Sequence, residues 1–154
     1  MSARQIDISN FCDFVEIDRR KLVRFIHELD AGLPEKFRAL PGVLSIAVFN
    51  DADLARIHAD FMNKPTPTDV ITFEGDDEML GEICASAERA LDWSKKFGTT
   101  PSQELSLYVA HGYLHLAGID DISESDALVM RKGEAFAMDI LREKFKTPIF
   151  KFNV

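Results

Sequence analysis

The sequence predicts a single α+β domain in which a small mixed β-sheet is packed with helices. Short β-branched runs alternate with stretches whose apolar residues recur at helical spacing. No repeat, low-complexity tract or long Pro/Gly/Ser linker divides the 154 residues, so one domain is expected over 1–154. With 46% hydrophobic and 29% charged residues, the composition suits one sizeable core, since a chain of this size buries roughly 70% of its unfolded surface.

Taken in order, residues 5–9 (QIDIS) read as a strand. A helix begins near Asp18, with Leu22, Phe25, Ile26 and Leu29 on one face, and Gly32, Leu33 and Pro34 end it. Val43 to Phe49 is short and β-branched, and Asn50 can cap a helix through Leu54, Ile57, His58 and Phe61 that Pro65 and Pro67 stop. The run from Thr68 to Phe73 (TDVITF) reads as a buried strand, and Met79 to Ala85 as its antiparallel neighbour across the acidic turn.

Ser86 is a suitable N-cap for a helix over Ala87 to Phe97, with Gly98 as its stop. In Thr100-Pro101-Ser102-Gln103 the threonine caps, the proline takes the first helical position and the glutamine completes a capping box. That helix should run to about Ala117, because Gly118 can enter the left-handed conformation without a side-chain penalty. Ser123 with Asp126 opens a last helix to about Phe145.

The balance of 18 Lys+Arg against 26 Asp+Glu gives a formal charge of −8. This argues against an unspecific nucleic-acid coat protein, although a local basic patch can still bind phosphates. The amino terminus has neither the positive flank nor the uninterrupted apolar core of a secretory signal or membrane span, so a cytoplasmic protein without membrane association is expected. Cys12 and Cys84 form no CxxC pair and read as reduced, partly buried thiols.

His111 and His115 lie four residues apart on the second-last helix and project from one face, where both imidazoles can reach one ion. Beyond Gly118, a chain reversal brings Asp120 and Asp121 beneath them, giving the pattern HxxxHxxGxxD. A lone helical histidine is usually a hydrogen-bonded core residue. Four randomly placed histidines give such a pair in about one chain in ten, but requiring the glycine and aspartate too reduces coincidence to on the order of one in a thousand. Catalytic zinc takes three histidine or carboxylate ligands and keeps one open position, a set that His111, His115 and Asp121 supply. His27 and His58 are expected as partly exposed helix residues. Zinc peptidases place a glutamate directly after the first histidine, and here that position is Gly112.

The segment HGYLHLAGIDD resembles the HGxLHLxGYDH signature of the YbeY family of bacterial endoribonucleases implicated in ribosomal RNA maturation. Pro67 to Phe73 is similar to that family's PTDVLSF strand, and Leu80-Gly81-Glu82-Ile83 to its LGDI strand, with the element order matching from about Val43 onward. The resemblance implies an α+β fold and a metal-dependent hydrolase specific for single-stranded RNA, its motif histidines holding a zinc-like ion.

This chain departs from the family pattern at two positions. The third histidine falls at Asp121, a harder oxygen ligand that makes the site less cationic. The family's arginine, five residues before the PTDV proline, is replaced by Met62. Lys64 can take over part of a phosphate-binding role, but as a point charge it lacks bidentate guanidinium geometry.

Asp69 and Thr68 read as tying down a loop of a core strand, with a pocket wall as the alternative. Glu82 either faces solvent or stands near the metal as an acid/base. The tail from Arg142 to Phe152 interleaves cations with aromatics, which suits either a solvated helix end with hydrophobic docking or a phosphate-tracking surface. The run Arg19-Arg20-Lys21 reads as a solvated face.

The leading expectation is therefore an endoribonuclease acting in ribosomal RNA maturation and ribosome quality control. Its site residues are His111, His115, Lys64 and Glu82, and its ion, zinc or alternatively nickel, is held by His111, His115 and Asp121. The expected partners are single-stranded ribosomal RNA and the small ribosomal subunit or its assembly factors. A non-catalytic ribosome-assembly factor with a structural metal is the second reading, and a zinc metallopeptidase the third.

Overall fold

The computed structural model describes residues 3–62 and 69–154. Four strands, β1 (Ile6–Asn10), β3 (Val43–Phe49), β5 (Met79–Ser86) and β4 (Val70–Glu74), form a sheet in that spatial order. β1 and β5 lie parallel to β3, and β4 runs antiparallel to β5, as the short acidic connection requires. A separate ribbon pairs β2 (Val15–Ile17) with β6 (Phe150–Phe152). Neither strand is expected from the sequence, because three residues are too few to show an alternation.

The helices are α1 (Arg19–Gly32), α2 (Asp51–Met62), α3 (Ala87–Phe97), α4 (Pro101–Leu116) and α5 (Glu124–Lys144). α1 starts where Asp18 accepts a hydrogen bond from the Lys21 N–H at 3.1 Å, and it buries Leu22, Phe25, Ile26 and Leu29. Each such side chain contributes about 1.5–3 kcal/mol on leaving water, which is why the apolar stripe decides where α1 packs.

The sheet has two unlike faces. Leu44, Ile46, Val48, Ile83 and Ala85 enter the large core with α1, α3, α4 and α5, whereas Ala47, Ile71 and Cys84 pack with Leu54 of α2 on the other side. α4 lies tightly on the first face: a β-carbon at Gly112 would stand 2.7 Å from Ile83 Cγ2. That close approach is the physical reason for glycine there, and the room for a peptidase-type glutamate is filled by Ile83.

α4 carries the strongest start signal in the chain. Thr100 Oγ1 accepts from the Gln103 N–H at 3.1 Å while Gln103 Oε1 accepts from the Thr100 N–H at 3.0 Å, the reciprocal box expected from the sequence. At the other end Gly118 has φ +94°, donating its N–H to His115 O at 3.0 Å, and Ile119 N–H reaches Leu114 O at 3.0 Å. The left-handed residue turns the chain back under α4 and so places residues 120 and 121. Pro65, Pro67, Thr68 and the side chain of Phe61 lie outside the described residues.

Candidate metal centre

The last two turns of α4 present His111 and His115 together, their ring centroids 4.5 Å apart and nearly perpendicular. Asp121 comes up from the Gly118 turn, with Oδ2 at 3.5 Å from His111 Nε2 and 3.7 Å from His115 Nε2. Among the described residues these three form the group able to hold an ion, with all ligand atoms within 4.8 Å of one another. Tetrahedral zinc with bonds of about 2.0–2.1 Å separates its ligands by about 3.3 Å, so Asp121 stands within a few tenths of an ångström of ligand spacing from each imidazole. The donor chemistry, two imidazoles and a carboxylate beside partial solvent access, fits a divalent ion with an open position: the side chains are 16%, 26% and 34% exposed. Asp120 has a different task. Its Oδ1 accepts from the Asp121 N–H at 3.0 Å and so braces the turn.

The sequence reading missed a residue that positions this centre. Glu134, on α5 and only 7% exposed, accepts a hydrogen bond from His111 Nδ1 at 2.7 Å. Burial alone would raise the Glu134 pKa, but hydrogen bonds from His111 and Arg131, together with their charge, hold it below the usual carboxylate range. An ionised carboxylate only accepts, so Nδ1 carries the proton and Nε2 turns its lone pair toward Asp121. Arg131 grips the other oxygen of Glu134 one helical turn away.

Toward the N-terminus of α4, Tyr108 and Glu104 continue the spacing of His115 and His111 along one helix face. Glu104 is 8% exposed. Burial, with the charges of Asp69 and Glu134, raises its pKa against the opposing hydrogen bonds from Thr99 and Tyr108. Burial and the Glu104 and Asp69 carboxylates likewise push the Tyr108 hydroxyl upward.

Glu82 does not join the centre, which corrects its expectation as an acid/base beside the metal. In the β4–β5 register Glu82 pairs with Phe73 and Cys84 with Ile71, on the face under α2, whereas Ile83 faces Gly112 of α4. The Glu82 carboxylate instead accepts from the Cys84 thiol at 3.2 Å. Burial, then that hydrogen bond and charge, push the thiol's pKa upward, so Cys84 stays a protonated core residue. Lys64 and the side chain of Met62 lie outside the described residues. Asp69 is exposed and its backbone carbonyl accepts from the Ser86 N–H at 2.9 Å. His27 is partly buried and its Nε2 lies 2.9 Å from Arg4 O.

Comparison with known proteins agrees with the motif and its setting. The sequence profile described as Endoribonuclease YbeY matches residues 7–142. The chain belongs to the YbeY endoribonuclease family. It is similar to the Endoribonuclease YbeY of Carboxydothermus hydrogenoformans, at 33% identity over 132 residues, covering 83% of this chain and 91% of that one. The Endoribonuclease YbeY of Halalkalibacterium halodurans is 29% identical over 138 residues, covering 79% and 86%. The solution structure of TM1509 from Thermotoga maritima superposes with a TM-score of 0.63 over 90% of this chain and 91% of that one. At 20% identity this last likeness shows a shared fold alone. Among the described residues no helix is long and apolar enough to cross a membrane.

Proposed function

We propose that the protein is a metal-dependent endoribonuclease that cleaves single-stranded ribosomal RNA in the cytoplasm, during maturation and quality control of the small ribosomal subunit. The observation that carries this reading is the His111–His115–Asp121 constellation at the end of α4, in a chain whose relatives are endoribonucleases. The three side chains would hold one ion, zinc or alternatively nickel. When bound, such an ion supplies Lewis acidity, activating water at neutral pH and polarising a phosphoryl oxygen.

The chain's own residues do the rest by position. Glu134 fixes the His111 ring and the tautomer that exposes Nε2. Asp120 holds the turn on which Asp121 depends. Lys64, two residues beyond α2 in sequence, is assigned to a phosphate oxygen of the substrate in place of the family's arginine. Ile83 fills the space beside Gly112, so the peptidase reading lacks its base and the room for one.

The test compares end-labelled single-stranded and duplex RNA, with casein as a protein substrate, using metal-loaded wild type and His115→Ala. The expected result is cleavage of the single strand over the duplex by wild type, its loss in the variant, and intact casein. Casein hydrolysis without RNA cleavage would overturn the reading in favour of a peptidase. Ribosome association without cleavage of any RNA would select an assembly factor.

A further inference from the structure

Two basic segments at opposite ends of the sequence meet on one face of the fold. The start of α1 supplies Arg20, Lys21 and Arg24, and the end of α5 with the following turn supplies Lys144 and Lys146. Several contacts join them. The Lys21 ammonium donates to Thr147 Oγ1 and lies 3.5 Å from Pro148 O. The Arg24 guanidinium stands 4.8 Å over the Phe145 ring, which packs edge-on against Phe25 at 6.0 Å. Arg19, Arg20, Arg24 and His27 rim one shallow depression over Val23.

Among the described residues, nearby acids pair with only one of these cations, Lys21. Asp18 is shared with Lys21 at 3.7 Å, and Asp139 is engaged by Arg142. Glu28 follows Arg24 by four residues and Glu143 directly precedes Lys144 in sequence. Arg20, Arg24, Lys144 and Lys146 are exposed and have no carboxylate partner among the described residues. Five cations have thus gathered on a chain of net charge −8, and such a concentration points outward to an anionic partner. Lysine is depleted at protein interfaces but common at phosphate contacts, which favours nucleic acid over an acidic protein.

We propose that Arg20, Lys21, Arg24, Lys144 and Lys146 form a docking face for the phosphate backbone of a single-stranded RNA whose scissile segment lies at the His111–His115 centre. This rests on the endoribonuclease reading above. α5 connects the two places: Glu134 touches His111, and Lys144 stands ten residues further along the same helix, or about 15 Å at 1.5 Å per residue. The face therefore engages nucleotides beyond the cut site and makes affinity depend on strand length.

The test uses Arg20→Gln/Lys144→Gln/Lys146→Gln in one chain, leaving in place Lys21 and Arg24, which tether residues 145–148. Binding of labelled single strands of about 4 and about 16 nucleotides is followed by fluorescence anisotropy in metal-free buffer across a salt series. Hydrolysis of the short strand is followed separately with metal. For the long strand, the salt slope should become shallower by about 2, from three lost contacts at about 0.7 each, and affinity at moderate salt should fall by about tenfold or more. Binding and cleavage of the short strand should match wild type. An unchanged slope and long-strand affinity, with short-strand cleavage intact, overturns the docking face alone. Absence of cleavage by wild type overturns the endoribonuclease reading, while the binding series still decides the face. Polyglutamate competing as well as RNA for wild type, and losing its hold on the triple variant, would assign the face to an acidic protein and overturn RNA as its occupant.

Discussion

Removing the Glu134 carboxylate tests how far the ion site is built from outside its ligands. In Glu134→Ala, the His111 Nδ1–H loses a charge-assisted partner at 2.7 Å in a place where the imidazole is only 16% exposed. Hydrogen bonds to charged groups contribute roughly 1.5–3 kcal/mol, and the loss of such outer partners typically weakens metal binding by about 10–100-fold, equivalent to about 1.4–2.8 kcal/mol. The two ranges agree, so a loss of that size is expected for zinc measured by competition with a chromophoric chelator. Glu134→Gln keeps an acceptor without the charge and should fall between wild type and alanine. Long-range proton–nitrogen spectra of the metal-free protein should show His111 with its proton on Nδ1 in wild type and a mixture of tautomers in Glu134→Ala. Wild-type affinity in both variants, with an unchanged His111 tautomer, would refute the reasoning.

Three further outcomes follow from the same structure. Asp121→Ala should weaken metal binding far more than Asp120→Ala, and Asp121→His should retain an ion while moving selectivity toward nickel or copper over manganese; parallel metal titrations check this, and the reverse order for the two alanine variants would move the third ligand. Gly112→Ala places a methyl group 2.7 Å from Ile83 and should destabilise the fold by about 1–3 kcal/mol through overpacking, read from the denaturant midpoint. Glu104 is an acid whose folded pKa is raised, mainly by burial, so the native state holds its proton more tightly and stability drops as pH climbs above the ordinary carboxylate range. Glu104→Gln should therefore exceed wild type in stability at neutral pH, with the difference shrinking as pH falls through that range. An advantage independent of pH in thermal melts would contradict the assignment.

Much of the fold was legible because its helices carry redundant signals. α4 has a complete capping box at one end and a positive-φ glycine at the other, and between them the two histidines fall on one face whatever the tertiary packing. The approach of Asp121 to the two histidines was legible because Gly118 dictates the turn. Glu134 was not, since it lies 23 residues beyond His111 and its pairing with Arg131 at i,i+3 reads as an exposed ion pair. A signal did exist: Met130, Gly133 and Ala137 place Glu134 on the buried stripe of α5, where a carboxylate needs a partner. Glu82 was ambiguous because strand alternation separates Glu82 and Cys84 from Ile83 and Ala85 without saying which face α4 covers. The contact between Gly112 and Ile83 decides that question. β6 was hidden for a similar reason, since Phe150 and Phe152 alternate around Lys151 over a span too short to distinguish a strand from a basic aromatic tail.

The most direct measurement is a reconstitution titration that follows bound metal and single-stranded RNA cleavage in the same samples, for wild type and for His115→Ala. Cleavage should rise in proportion to occupancy and level off at about one ion per chain, as one open tetrahedral site requires, with neither tight metal binding nor cleavage in the variant. RNA cleavage that proceeds equally in fully chelated wild type and in His115→Ala would contradict the account.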